Sequence, residues 1–318
     1  MTVWIIFIAV IIIFLALDLG VFNRKAHIIK TKEASIWTSV WVSLALAFSG
    51  VIYWLFSNGM VENPTGLTPN NAVIKYITGY LIELSLSIDN VFVIAVIFSS
   101  FKIPEKYQHR VLFWGILGAI VFRALMILFG VTLINKVDWI VYVFGVFLLY
   151  TAYKMLTSSG EDFNPKQSPM YRFLRKLFPI THKIEGDNFF IRRMGIRAAT
   201  PLFIALMIIE LTDVLFALDS IPAILAITAD PFIVFSSNIL AILGLRSMYF
   251  LISRMLQKFR YINYSLVVIL AFVGVKMILS HHVEIPEWLS LGIIVLSLAA
   301  GIIASIFIPS EGEVIEQP

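Results

Sequence analysis

Apolar residues run along this chain in long blocks, and polar residues gather between the blocks instead of alternating with them. Blocks of about 20 residues at 1.5 Å rise match the roughly 30 Å hydrocarbon core of a bilayer. Nine spans are predicted on this basis, over 3–22, 36–57, 73–101, 109–134, 138–157, 198–229, 232–257, 263–281 and 288–308. The first has no Lys or Arg before it and basic residues after it. It reads as a retained helix with its N-terminus outside, not as a cleaved signal peptide.

Composition agrees. The 318 residues are 59% hydrophobic and 14% charged, with a mean hydropathy of +0.91. That predicts an all-α membrane protein. The absence of cysteine excludes disulfides, thiolate metal sites and thiol redox chemistry, leaving oxygen and imidazole as metal ligands.

The net charge of +4 concerns topology, not nucleic acid. Arg24, Lys25, Lys30 and Lys32 follow the first span, and Lys102, Lys106 and Arg110 follow the third. The longest loop, 158–197, holds Lys166, Arg172, Arg175, Lys176, Lys183, Arg192, Arg193 and Arg197, and Arg254, Lys258 and Arg260 follow the seventh span. The opposite loops hold only Lys75 and Lys136. The positive-inside rule then places the N-terminus outside and the C-terminus in the cytoplasm, with the basic loops facing anionic lipid headgroups.

Two segments inside the apolar blocks share one pattern. Glu83-Leu-Ser-Leu-Ser-Ile-Asp89-Asn90 and Asp213-Val-Leu-Phe-Ala-Leu-Asp219-Ser220 each set an acid, five residues, an Asp and a small polar residue. An ionised Asp at a helix centre costs roughly 2.5–3.5 kcal/mol on the lenient insertion scale, so such residues point to function. The similarity extends further. Asp89 precedes Arg123 and Lys154, Asp219 precedes Arg246 and Lys276, and Arg and Lys lie 31 residues apart in one set and 30 in the other. Each unit holds three spans. An odd number inverts the second unit, giving two inverted three-helix repeats with extra helices at both ends.

Six acids (Asp18, Glu83, Asp89, Glu210, Asp213, Asp219) and four bases (Arg123, Lys154, Arg246, Lys276) fall within spans. A divalent cation or two protons would neutralise the excess, and a salt-bridge network among them is the structural alternative. Six residues along a helix are about 9 Å of rise and about 120° of rotation, so acids six apart cannot grip one ion from one helix. The expected pair is Asp89 with Asp219, joined by Asn90 and Ser220. Glu83, Glu210 and Asp213 would line the approach or pair with Arg123 and Arg246. Pro222 cannot donate to the carbonyl of Leu218, which predicts a helix break beside Asp219. Such an oxygen-rich site suits Mn²⁺, Mg²⁺ or Ca²⁺.

His281 and His282, with Glu284 and Glu287, read as a solvated loop before a weak metal-capture site, and His27, His109 and His182 carry no assignment. Within 158–197, Tyr171–Phe178 alternates basic and apolar groups and is expected at the membrane surface or in a docking element. No nucleophile triad, phosphate loop or nucleotide motif is present, so an enzyme is not expected.

These residues resemble the TerC family of bacterial integral membrane proteins. The resemblance rests on Glu83-x5-Asp89-Asn90-Val91-Phe92, Glu210-Leu-x-Asp213-Val-x-Phe-Ala-x-Asp219-Ser-Ile-Pro222-Ala, Asp230-Pro-Phe-Ile-Val, Ala241-Ile-Leu-Gly-Leu-Arg246, Ala199-Thr-Pro201-Leu and Leu17-Asp18-Leu-Gly-Val-Phe. It implies a role in manganese homeostasis, with some members exporting Mn²⁺, and a build of three-helix repeats. It also implies that Asp89, Asn90, Asp219 and Ser220 are the acidic core, with Glu83, Glu210 and Asp213 beside it. Many relatives carry Lys directly after the first Glu, where this chain has Leu84.

The expected protein is one transmembrane domain over 1–318. Two helices occupy 1–72, the first repeat 73–157, a cytoplasmic basic loop 158–197, the second repeat 198–282, and the last helix and tail 283–318. The expected function is Mn²⁺ export across a bacterial cytoplasmic membrane in exchange for H⁺, without an organic cofactor. The alternative is a membrane-embedded assembly or metalation factor. Membrane lipid and a divalent ion are the expected partners, and the sequence leaves room for a homo-oligomer or a membrane partner protein.

Overall fold

The computed structural model describes residues 2–17, 29–63, 66–137, 139–157, 166, 169–181, 184, 186–193, 196–253, 261–280, 283 and 285–307. Within its helices and strands, the side chains of Leu17, Asp89, Pro169, Met170, Arg193, Ile196 and Ile306 lie outside that description. The apolar blocks form helices α1 (Thr2–Leu17), α2 (Thr31–Ser57), α3 (Pro69–Ser100), α4 (Glu105–Lys136) and α5 (Ile140–Thr157). A short α6 (Pro169–Leu177) precedes strands β1 (Phe190–Arg193) and β2 (Ile196–Ala199). Helices α7 (Pro201–Leu225), α8 (Pro231–Ile252), α9 (Ile262–Leu279) and α10 (Glu287–Phe307) complete the chain. Among the described residues, eight helices are long and apolar enough to cross a membrane, and α1 is a shorter apolar helix.

Local chemistry sets the starts. Pro69, Pro201 and Pro231 open α3, α7 and α8 at the position where a missing N–H costs nothing. Thr68 caps α3 by accepting from the Asn71 amide. Asp230 caps α8 by accepting from the Phe232 and Ile233 amides, both at 3.0 Å.

α8 is the central helix, buried on nearly every face and enclosed by α2, α3 and α4. Around it α4 packs on α7, α5 on α9, and α10 on α9 and α3. α5 and α9 approach through glycine. A Cβ built on Gly145 would lie 3.0 Å from the Gly274 carbonyl oxygen, and one on Gly274 would lie 2.9 Å from the Gly145 oxygen. Bare backbone lets dispersion contacts form where no hydrophobic drive exists between lipid-embedded helices.

The apolar core is layered. One layer joins Val91, Leu112, Leu202 and Leu245; another joins Ile82, Ile127, Ile221 and Val234. Each of α3, α4, α7 and α8 passes through both, and each carries a polar residue between them. That intervening level holds the candidate site.

The all-α expectation needs a correction. Residues 158–197 include, besides α6, an antiparallel hairpin pairing Phe190 with Ala199 and Arg193 with Ile196. Two runs rich in apolar and basic residues flank Met194-Gly195, a two-residue hairpin spacing that the search for long apolar blocks passes over. A tilted ring contact between Phe190 and Phe203, with centroids 4.4 Å apart, packs the hairpin on α7. β2 reaches Ala199, so the first two residues assigned to the second repeat belong to the hairpin.

Candidate functional site

Arg123 of α4 is 1% exposed, among the most deeply buried side chains described. It donates to Asp213 of α7 in a two-pronged contact, Nε to Oδ2 at 3.1 Å and Nη2 to Oδ1 at 2.8 Å. Its Nη1 also donates to Glu83 of α3 and more weakly to Ser220 Oγ and Asn238 Oδ1, each at 3.4 Å. Asn238 of α8 donates from Nδ2 to the other Glu83 oxygen at 2.9 Å. Four helices thus meet on one guanidinium. Every oxygen of the two carboxylates accepts one hydrogen bond, and two acids facing one base leave a negative excess. Burying ions costs several kcal/mol each and is offset only where geometry and extra hydrogen bonds are good, which the planar fork of Arg supplies.

Helical rotation explains who faces whom. Ser220 lies seven residues beyond Asp213, nearly two turns, and shares its face. Asp219 is turned away, and its Oδ1 accepts from Thr151 Oγ1 of α5 at 2.9 Å, with Lys154 as an electrostatic neighbour. The Asp89 side chain lies outside the described residues, as does Asp18, so the expected Asp89–Asp219 pair is not described. Leu218 exposes its side chain at the bundle surface. Pro222 is buried inside α7, which runs on as one helix to Leu225, so the expected break is not an interruption of the helix.

Beside Asp213 lies a cavity of about 30 Å³ lined by Asn90, Thr212, Asp213 and Arg246 among apolar side chains. At ~10–15 Å³ per water by this measure, it has room for about two or three water-sized occupants. Asn90 is 4% exposed, and its Oδ1 has no hydrogen-bond partner among the described residues. Glu210, one turn before Asp213, is buried with Oε2 likewise unpartnered among the described residues. Its carboxylate fills the space where a side chain at Gly118 of α4 would stand. Arg246 also borders a second cavity of about 20 Å³ beside Glu33, Trp37 and Trp41.

Among the described residues, no group of three or more His, Asp and Glu side chains is placed to hold a metal ion. Glu83 and Asp213 are engaged by Arg123 instead, so the charge-network reading of these two acids is the one this conformation displays. Lys276 donates to Glu287 Oε2 at 3.1 Å and Ser290 Oγ at 2.9 Å. Lys75, read from sequence as a loop residue, belongs to α3 and donates to Glu287 Oε1 at 3.0 Å and the Ile227 carbonyl at 2.6 Å. Glu287 therefore serves lysines, while His281, His282, Glu284, His27 and His182 lie outside the described residues. His109 is buried in α4. Asn238, Thr151 and Gly118 were missed from sequence. Asn238 ends the Ser236-Ser237-Asn238 run inside an apolar block, a signal that could have found it.

Long apolar helices around a buried ion-pair centre define a multi-pass α-helical membrane protein. The profile described as "Integral membrane protein TerC family" matches residues 68–313, and the chain belongs to that family. It is 49% identical over 303 residues to "Uncharacterized membrane protein STKORF319" of Myxococcus xanthus, covering 95% of this chain and 91% of that one. It is 44% identical over 289 residues to the "Putative membrane-bound redox modulator Alx" of Escherichia coli K12, covering 91% and 89%. It is 43% identical over 303 residues to a membrane protein of Rickettsia bellii, covering 95% and 96%. No solved structure matches the chain.

Proposed function

We propose that this protein is a secondary transporter, not an enzyme, that exports Mn²⁺ from the cytoplasm across a bacterial inner membrane in exchange for H⁺. The observation that carries the reading is the cavity beside Asp213, lined by that carboxylate, by Thr212, by Arg246 and by Asn90, whose Oδ1 has no hydrogen-bond partner among the described residues, with apolar side chains around them. Carboxylate, amide and hydroxyl oxygens suit a hard divalent ion. Asp89, next to Asn90 on α3, would complete the set from the first repeat, with Asp219, Ser220, Glu83 and Glu210 serving ion or proton along the path.

The packing supports two inverted repeats, α3–α5 and α7–α9. Exchanging α3 with α7, α4 with α8 and α5 with α9 leaves the pairs α3–α8, α4–α7 and α5–α9 unchanged as a set. Rocking of one repeat against the other would expose the ion to each side in turn. With the positive-inside rule the N-terminus is outside. The redox role named for the relative Alx would not run here through thiols, since this chain has none.

The test is cellular manganese, by elemental analysis, in Mn²⁺-loaded bacteria lacking their own exporters. Wild type should lower it and Asp89→Asn should not; equal manganese at verified expression would sink the reading. The assembly-factor alternative is favoured by one observation, the exposed Phe173, Arg175, Lys176 and Leu177 on α6. It requires a membrane partner that co-purifies with wild type and is lost on Phe173→Ser/Leu177→Ser.

A further inference from the structure

The proposed route has an obstacle built into it: the acid that borders the cavity is already neutralised. Both Asp213 oxygens accept from Arg123, and both Glu83 oxygens accept, one from Arg123 and one from Asn238. One of these acids lies on α3 and the other on α7, at matching places in the repeated pattern. Arg123 thus performs, from inside the chain, the task assigned to a transported cation, which is to join one carboxylate from each half. Asn90, which lines the cavity and is 4% exposed, lies outside the Arg123 contacts, and its Oδ1 has no hydrogen-bond partner among the described residues.

We propose that Arg123 is a tethered counter-cation which the transported divalent ion displaces from Asp213, and which returns to Asp213 when the ion leaves. The proposal rests on the transporter reading above. With an ion in the cavity, Arg123 keeps Glu83, and Ser220 and Asn238 at 3.4 Å are its alternative acceptors. With the ion gone, two buried carboxylates without Arg123 would oppose any rearrangement of the packed helices, because unpaired buried charge is costly. Arg123 therefore makes the return of the Mn²⁺-free carrier feasible, beside the protons it carries back. It also competes with the ion for Asp213, and so sets a ceiling on affinity.

These two roles separate in one experiment. Purified protein in proteoliposomes is assayed for Mn²⁺ binding, for net Mn²⁺ efflux, and for exchange of labelled Mn²⁺ against unlabelled Mn²⁺ on the opposite side. Exchange requires only the Mn²⁺-loaded carrier to reorient, whereas net efflux requires the Mn²⁺-free, proton-bearing carrier to return. In Arg123→Gln, binding should tighten by about tenfold or more, net efflux should be lost and exchange should persist. Arg123→Lys keeps a charge without the fork and should restore part of the net efflux. A folded Arg123→Gln protein that binds Mn²⁺ more weakly, or loses exchange together with net efflux, overturns the proposal and leaves Arg123 a purely structural ion. If Arg123→Gln does not fold, Glu83→Gln/Arg123→Gln removes a charge pair instead. It should bind Mn²⁺ more tightly than Glu83→Gln alone, and equal or weaker binding overturns the proposal. Wild-type protein that neither binds nor moves Mn²⁺ refutes the transporter reading itself, a result distinct from any Arg123 outcome.

Discussion

Two charge trios, of opposite composition, occupy two levels of this bundle. At the centre one base, Arg123, serves two acids, Glu83 and Asp213. Near the start of α3, at one end of the bundle, one acid, Glu287, serves two bases, Lys75 and Lys276. α3 contributes to both through Lys75 and Glu83, eight residues or about 12 Å apart. In the central trio Arg123, Glu83 and Asp213 are 1%, 0% and 11% exposed and the adjoining cavity is about 30 Å³. In the end trio Lys276, Lys75 and Glu287 are 9%, 14% and 22% exposed, and all three line a cavity of about 580 Å³. Water can replace a lost partner at the end but not at the centre. The same number of charges thus makes a demanding, specific junction in one place and a soft, screened one in the other.

Removing one ion from each trio should break the comparison open. Arg123→Ala leaves two buried acids unmatched and should cost about 3–5 kcal/mol, read as lost thermal stability in detergent. Added Mn²⁺ should recover more stability for this variant than for wild type, since a cation supplies what the guanidinium did. Gly118→Ala comes next. Its methyl would enter the space of the Glu210 carboxylate, so overpacking should cost about 1–3 kcal/mol, and Gly118→Ala/Glu210→Ala should regain much of it. Glu287→Gln should matter least, about 1 kcal/mol or less, and the loss should shrink as salt rises. A Glu287→Gln loss as large as that of Arg123→Ala would show that the end trio is as sealed as the centre.

Much of the scaffold was legible because burying apolar length dominates everything else in such a chain. The helix α4 falls within four residues of its predicted start and two of its end. Glu83, Asp213 and Arg123 stood out because ionisable residues inside apolar blocks need partners, and their pairing was one of the arrangements foreseen. The facing of Asp219 was harder. Rotation along α7 says that it turns away from Asp213, but only packing says that it meets Thr151 of α5. Asn238 is hidden by its neutrality, though its two contacts to the Glu83–Arg123 pair are what close the centre. Lys75 lies inside the predicted span 73–101 but was counted with the loop charges, because a lysine near a span edge reads the same in a loop or in the first turns of a helix. The hairpin at 190–199 was missed because its signal is local and short, in a segment read for charge.

The central claim is that a divalent cation is held beside Asp213 and Asn90. Crystals of the protein soaked in Mn²⁺, with diffraction recorded at the manganese absorption edge, test it most directly. The account predicts an anomalous peak within coordination distance of the Asp213 carboxylate and Asn90 Oδ1, with Arg123 withdrawn from Asp213. An anomalous peak elsewhere in the bundle, or no peak with Arg123 still on Asp213 at saturating Mn²⁺, would contradict it.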